Sequence, residues 1–488
     1  MQDIPGRGVA AVCVWTVLLM GLLPGLIVPW QSAHASPAIA LQCVVVAHTG
    51  GALTRVLTAT RARLVALGFW IFAYIWFGLT PLVMLATDSY PWAYRTGEGT
   101  SLAAVAVIEL GLLAHSAGAA FSARAERART ARVPLAPPGP MERLLSRRIA
   151  PWRLLVLGGL AIASVVLLVP NEPGGVGAYF TSREAIANMN DVDDSALQAL
   201  RKWFLAVPAF WALLGLLHVP RVPGGDRLLR CVRWLLLPLL IAVNVVVNNP
   251  ISEPRFWAFT VLLTLLFATT KACRPRAFRA IAATLTVTIL LIFPYADYFR
   301  TTDREHLAVV SIAEQFTSNG DYDAFQQVQT GIDYARNVGF TPKAALDLPL
   351  LIVPRSIWPD KPVDTGITLG RYANYDFLNI SAPLWIESYL WAGPPAVAIV
   401  FFLYGVAGQR MDDVRHRQRG RRGTLASLLV PAFAFYQMVF LRGSVLGIGG
   451  PLLMLMTVPL LITTPGARAS RFRASAMSTA PIRHVSTT

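Results

Sequence analysis

Apolar runs of about 17 to 25 residues, the length a helix needs to cross a hydrocarbon layer, recur along almost the whole chain. They fall at 9–29, 37–53, 64–86, 101–121, 153–170, 203–219, 232–248, 256–270, 280–297, 384–406, 424–441 and 444–463. The expected class is therefore all-α: a polytopic membrane protein of about twelve transmembrane helices, with one long extracytoplasmic loop containing short helices. That loop, 298–383, is the single long polar stretch and holds Pro354-Arg355-Ser356-Ile357-Trp358-Pro359-Asp360-Lys361-Pro362. Four regions follow: an N-terminal bundle of about nine spans (1–297), the loop (298–383), C-terminal helices (384–463) and a basic tail (464–488). Within the loop, Ala324 to Val338 puts Phe325, Val328, Ile332 and Ala335 on one helical face, which predicts an amphipathic helix packed on the membrane domain. Ala344 to Val353 is apolar but too short to span; broken by Pro349 and ended by Pro354, it reads as a segment dipping into the interface, with Arg355 emerging at headgroup depth.

Composition agrees. With 55% hydrophobic residues and 14% charged, and a mean hydropathy of +0.51, the chain needs a bilayer as solvent. The net charge of +16 is unevenly placed: the N-terminus, 54–63, 122–153, 220–233, 271–279, 409–422 and the tail hold 30 of the 43 basic residues and 6 of the 27 acids. The positive-inside rule then gives an alternating path with both termini cytoplasmic, in a bacterial plasma membrane. The charge is a topology signal, and no nucleic-acid partner is implied. Arg7, the first apolar run and Ala33-His34-Ala35 before Ser36 also fit a signal peptide, but the run is longer than a usual signal core, so a retained first span is expected.

Few residues suggest a metal or cofactor, and none is expected. Cys13 and Cys43 fall in spans and Cys231 and Cys273 in short basic-side loops, without zinc or redox spacing, and read as packing residues. The histidines are dispersed, with His306 alone in the long loop. Two Asp-x-Asp strings, Asp191-Val192-Asp193 and Asp321-Tyr322-Asp323, each precede a helical pattern; they read as helix N-caps and first-turn acids rather than metal ligands. Glu109 lies inside an apolar span, where an acid is either functional or a packing acid hydrogen-bonded to a helix partner. No repeat of 20 to 50 residues is visible, and the two halves are not alike, unlike many carriers.

On the outer side, 171–202, Asn249 to Arg255, 298–383 and Arg442-Gly443 each carry an arginine. Asn249-Pro250-Ile251-Ser252-Glu253-Pro254-Arg255-Phe256-Trp257, Pro294-Tyr295-Ala296-Asp297-Tyr298-Phe299-Arg300 and the Pro-Arg-x-x-Trp-Pro-Asp-Lys-Pro string resemble the O-antigen polymerase (Wzy-like, oligosaccharide repeat-unit polymerase) superfamily. Glu387-Ser388-Tyr389-Leu390-Trp391-Ala392-Gly393 looks like its acid-aromatic-glycine pattern. The resemblance covers roughly 245–450; the first half matches only as a count of spans. Arg355 and Gly366 also fit an Arg-x10-Gly spacing of some members, but chance supplies such a pair about one time in fourteen. The resemblance implies a membrane glycosyltransferase that polymerises undecaprenyl-diphosphate-linked oligosaccharide repeat units on the outer face, alongside a flippase or chain-length regulator, with membrane lipid around it.

The chemistry agrees on independent grounds. Moving a glycan from a lipid diphosphate requires stabilising the leaving diphosphate beside an oxocarbenium-like sugar, which guanidinium groups at the membrane surface do without a metal. Arg255, Arg300, Arg355, Lys361 and Arg442 are the candidate binders, with Trp358 to stack on a sugar. The acceptor hydroxyl needs a carboxylate; Glu387 is the first choice and Asp297 the second. Plainer readings stand beside these: arginines that snorkel to lipid phosphate, a Pro-rich turn that folds the loop back around Arg355 and Lys361, and a Trp358 that anchors in the interface. Three rival classes are a lipid-linked sugar or polysaccharide transporter without covalent chemistry, an O-antigen-type ligase, and a polyprenyl-phosphate-sugar transferase with an acidic pair in its first outer loop. Residues 30–36 hold no acid, which counts against the last.

Overall fold

A helix occupies each of the twelve apolar stretches in the computed structural model, which describes every residue except 1–5, 31–34, 133–136, 173, 182–194, 220–226, 252, 270–271, 273, 292–310, 348–357, 359–360, 379, 420, 422 and 466–488. The first nine are α1 (Gly8–Ile27), α2 (Pro37–Leu57), α3 (Leu64–Thr87), α4 (Glu98–Arg132), α5 (Pro151–Leu168), α6 (Ser195–His218), α7 (Arg227–Val247), α8 (Arg255–Thr269) and α9 (Pro275–Leu291). The loop contributes α10 (Ile312–Ser318), α11 (Ala324–Asn337) and α12 (Thr365–Tyr372). Three long helices close the chain: α13 (Leu384–Arg417), α14 (Leu425–Arg442) and α15 (Val445–Leu461). Among the described residues, 8 helices are long and apolar enough to cross a membrane, namely α1 to α5, α7, α13 and α14, while α8 and α15 are apolar but shorter. The expected all-helical membrane class holds at that level.

Helix α3 is the centre. In its most apolar window 94% of residues are buried, against 11% for α1, which lies at the edge. Its aromatic rings Phe69, Phe72, Trp76 and Phe77 pack on one another and on Trp385 of α13. Small residues set the closest approaches, as in helix pairs that lack a hydrophobic drive to associate within lipid. A Cβ on Gly118 of α4 would lie 2.0 Å from the Phe402 carbonyl of α13, and one on Gly405 of α13 would lie 2.1 Å from the His115 carbonyl of α4. Those two helices therefore touch backbone to backbone. At the basic end, a two-stranded ribbon pairs Arg148–Ile149 antiparallel with Thr463–Thr464, fixing the start of α5 beside the end of α15.

Helix α13 is broken near its loop end. Pro394 and Pro395 carry no N–H, so the preceding carbonyls lose their intrahelical donors. Ala392 and Gly393 leave helical geometry there, Gly393 at φ +69, a region open to glycine. The Leu390 carbonyl is satisfied from outside, by the Thr341 N–H at 2.7 Å.

The predicted amphipathic loop helix is α11. Phe325, Val328 and Ile332 are fully buried and Ala335 nearly so, as the face analysis expects. Its polar side is enclosed too. Gln326 donates to the Trp92 and Tyr94 carbonyls and accepts from the Trp92 N–H, and Gln329 donates to Ser101. The loop between α3 and α4 covers that side, so α11 is wedged into the bundle rather than laid upon it. The dipping segment 344–353 is described only as far as residue 347, ending the short helix Pro342–Leu346. The cysteines correct the packing expectation: Cys13, Cys43 and Cys231 are exposed, Cys231 within α7 rather than in a loop. Cys273 lies outside the described residues.

Candidate functional site

Two arginines from distant spans meet at the loop end of the bundle. Arg255 opens α8 immediately after Pro254, at the end of a tight turn in which Asn249 accepts the Ile251 N–H. Trp257 fixes the first helical turn by donating from Nε1 to Asn248 at 2.7 Å. Arg442 closes α14 before Gly443. Both reach the string Asp321-Tyr322-Asp323 ahead of α11. Arg255 Nη2 lies 2.6 Å from Asp321 Oδ2, and Arg442 Nη2 lies 3.5 Å from Asp321 Oδ1 and 3.4 Å from Asp323 Oδ1. Arg442 also donates to the Gly320 carbonyl at 2.9 Å.

Asp321 is a first-turn acid, as the sequence suggests, in the short helical turn Gly320–Tyr322, but Asp323 is not a capping side chain. Asp323 stands at the N-cap position of α11 but makes no side-chain capping bond. Its Oδ2 instead accepts Trp92 Nε1–H at 3.0 Å and the Ser381 N–H at 3.3 Å. Asn319 does the local capping, accepting the Asp321 N–H at 2.9 Å. The physical reason is competition: a carboxylate facing a half-buried guanidinium gains more from that charge-assisted bond than from a helix terminus. Removing one partner of such a buried pair typically costs about 3–5 kcal/mol. The other string, Asp191-Val192-Asp193, lies outside the described residues.

Below the arginines the wall turns apolar. Phe256, Phe259 and Leu263 descend one face of α8 and, with Trp76, Ile289, Phe435 and Met438, line a narrow cleft. The Arg442 guanidinium sits 5.8 Å from the ring of Phe256, one of those lining residues.

Glu387 stands in the first turn of α13 and is only 2% exposed. It was expected at the interface, within reach of the arginines. Its oxygens instead go to α15: Oε1 accepts the Ser444 hydroxyl at 2.9 Å and Oε2 the Val445 N–H at 2.8 Å, so it caps that helix from outside. The arginine clamp is close in the chain, because Arg442 precedes Ser444 by two residues and its carbonyl accepts the Ala382 N–H at the approach to α13. A second acid shares this corner. Asp364 accepts the Gly366 N–H at 2.7 Å, capping α12, and a Cβ on Gly447 would lie 2.6 Å from its Oδ2, so the carboxyl abuts the first turn of α15. Burial holds Asp364 above the ordinary carboxylate range despite that capping bond.

Lys361 is tied through its N–H to the Trp358 carbonyl at 3.1 Å, and Trp358 is half-buried. Asp297, Arg300 and Arg355 lie outside the described residues. The structure thus unites Arg255 with Arg442 on Asp321, while Glu387 turns to Ser444 and Val445. Asp364 and Ser444 escaped the sequence reading; the one available signal was Asp364-Thr365-Gly366, a helix-start pattern.

A separate polar centre lies within the helices. His48 of α2 meets Glu109 of α4, Nδ1 to Oε1 at 2.8 Å, and its Nε2 lies 3.2 Å from the Ser116 hydroxyl. Glu109 Oε2 and His115 Nδ1 are buried without a hydrogen-bond partner. The helix partner left open for Glu109 is therefore His48, a residue that the dispersed histidines did not single out. Among the described residues no group of three or more His, Cys, Asp or Glu is placed to hold a metal ion.

Comparison with known proteins returns nothing: no protein-family model, no curated protein and no solved structure matches this chain.

Proposed function

We propose that the chain is a twelve-span membrane glycosyltransferase that transfers lipid-diphosphate-linked oligosaccharide, joining repeat units at the outer face of a bacterial plasma membrane. The observation that carries the reading is the convergence of Arg255 and Arg442 on Asp321, beside the apolar face of α8 that begins at Phe256. A lipid diphosphate has that same division, an anionic head joined to an apolar chain. Planar guanidinium groups suit it by forming paired, charge-assisted bonds to phosphate oxygens. Asp321 and Asp323 hold both forks in place, and the incoming diphosphate competes with them for the same N–H groups. The bond from the anomeric carbon to phosphate breaks as the acceptor oxygen attacks, and the leaving charge falls on the arginines. Glu387 is the first-choice acid for the acceptor's proton, which would reach it through the Ser444 hydroxyl because Glu387 itself is 2% exposed. Arg300, Arg355, Lys361 and Trp358 are the further donor-binding candidates that the sequence offers, and Asp297 is the reserve acid.

The test of orientation is labelling with an impermeant thiol reagent. A cysteine placed within 310–340 reacts from outside and one within 415–422 does not; the reverse pattern moves the site to the cytoplasm and removes the reading.

One observation favours a second reading, a proton-coupled carrier of lipid-linked sugars. The His48–Glu109 pair, with an unpartnered carboxylate oxygen inside the helices, is the kind of centre that proton-coupled transport uses. Glu109→Gln separates the readings, because it abolishes movement of substrate in a carrier and spares glycosyl transfer in the enzyme.

A further inference from the structure

A cavity of about 160 Å³ lies at the basic end of the bundle, between the last turns of α4, the short helix Pro140–Leu145 and the last turns of α13. One water needs only about 10–15 Å³, so a larger polar group fits. Six charged side chains line it, three of each sign: Arg129, Arg410 and Arg417 against Glu126, Glu142 and Asp413.

Four of the six neutralise one another in a closed ring. Glu126 accepts from Arg129 Nε at 3.1 Å and Nη2 at 2.9 Å and from Arg417 Nη1 at 3.1 Å, while Glu142 lies 3.3 Å from Arg417 Nη2 and 3.8 Å from Arg129 Nη2. The other two stay apart. Arg410 and Asp413 are about one turn apart on α13, near enough to pair, yet among the described residues neither makes an ion pair. Asp413 takes the Gln409 amide at 2.8 Å, and Arg410 is exposed.

The cavity thus presents one unspent cation and one unspent anion. A purely anionic ligand gains Arg410 and is repelled by Asp413, and a purely cationic one meets the reverse. A ligand that carries both charges on a short spacer gains at both. Position selects the carrier of those charges, because α4 and α13 are both long and apolar enough to span a membrane and the cavity lies where they end. Phe402, about three turns along α13 from Asp413, shares its face. Its ring lies 5.7 Å from that of Phe121 on α4, itself 54% exposed, so an apolar strip leads from the cavity into the spans.

We propose that this cavity binds the ethanolamine phosphodiester head of a membrane lipid, with the phosphate on Arg410, the ammonium on Asp413 and the acyl chains along Phe121 and Phe402. The ion-pair ring forms the wall and stays intact. An ammonium brings three N–H donors to Asp413, whereas a choline nitrogen brings none. A glycerol head brings no cation at all, so the balanced lining separates this cavity from an ordinary basic patch for anionic lipid.

The site lies at the opposite end from the arginine clamp, and its test needs no activity. Full-length protein, delipidated in detergent, is titrated with phosphatidylethanolamine, phosphatidylcholine and phosphatidylglycerol, and bound lipid is counted by native mass spectrometry. One ethanolamine lipid held at least about tenfold more tightly than the other two is expected, the scale of one hydrogen bond between charged groups. Asp413→Asn brings the ethanolamine and choline lipids to equal affinity, and Arg410→Ala weakens all three. Equal affinities in the wild type, or a preference for the glycerol lipid, overturn the proposal without any variant. Ethanolamine selectivity retained in Asp413→Asn also overturns it, by placing that lipid elsewhere. Glycerophosphoethanolamine, the same head without chains, displaces the lipid only in large excess; displacement at equal concentration assigns the cavity to a soluble ligand and overturns the lipid.

Discussion

Helix α13 ends in a buried acid at both extremities, and each acid caps a neighbouring helix. Near the basic end Asp412, 3% exposed, accepts the Val65 and Ala66 N–H groups at 3.1 Å each and so closes the start of α3. At the loop end Glu387 does the same for α15. Capping and burial are thus common to both, and neither by itself marks a catalytic group. The difference lies in the second oxygen. Both oxygens of Asp412 are spent on backbone N–H groups, whereas one oxygen of Glu387 goes to a hydroxyl, that of Ser444. A backbone N–H cannot pass a proton on, but a hydroxyl can. Asp412 ties helices together through backbone N–H groups, and Glu387 adds a hydroxyl partner, Ser444, through which the proposed transfer would move a proton.

The largest expected effect comes from breaking that distinction. Glu387→Gln keeps size and hydrogen bonding and removes the proton acceptor, so single-turnover transfer falls by about a hundredfold or more while donor binding persists. Loss of donor affinity together with rate would put Glu387 in the same class as Asp412. Next is the clamp. Arg255→Lys and Arg442→Lys keep the charge and lose the planar fork, lowering transfer at least tenfold, about 1.4 kcal/mol of transition-state stabilisation. Near-normal transfer in both variants would leave these residues as snorkelling anchors.

The helices and both arginines were readable because each depends on local pattern. An apolar run names its own span, and an arginine between proline and a tryptophan at a span end stands out from its neighbours. What those residues touch was not readable. Asp321 lies 66 positions from Arg255, and Ser444 lies 57 from Glu387. The Asp321-Tyr322-Asp323 string carries a true helix-start pattern, and only the tertiary arrival of two guanidinium groups redirects its carboxylates. His48 was hidden for a related reason, since one histidine in an apolar run gains meaning from Glu109 on another helix.

Smaller effects sharpen the comparison from the Asp412 side. Asp412→Asn replaces one of two accepting oxygens and is expected to cost about 1–2 kcal/mol of stability, the scale of a lost cap, with unchanged transfer per folded molecule. A rate loss exceeding the loss of folded protein would make the two ends of α13 alike. The smallest effect is a pH dependence. The Asp364 carboxyl is held above its ordinary value of 3.8 by burial, so the folded state binds its proton more tightly than the unfolded chain. That contribution to stability is complete below the ordinary value and is lost as pH rises through the raised one. Thermal unfolding of wild type against Asp364→Asn should therefore show the wild type losing ground as pH rises from the ordinary carboxylate value upward; parallel curves would contradict the raised Asp364 carboxyl.

The central claim is that this bundle makes a glycosidic bond. It is tested most directly by purified full-length protein in lipid vesicles with a defined undecaprenyl-diphosphate oligosaccharide inside and outside, products resolved by mass. The account predicts lipid-linked chains lengthened by whole repeat units, formed by the wild type and lost in Glu387→Gln. Movement of the lipid-linked sugar across the bilayer with no new bond would contradict it.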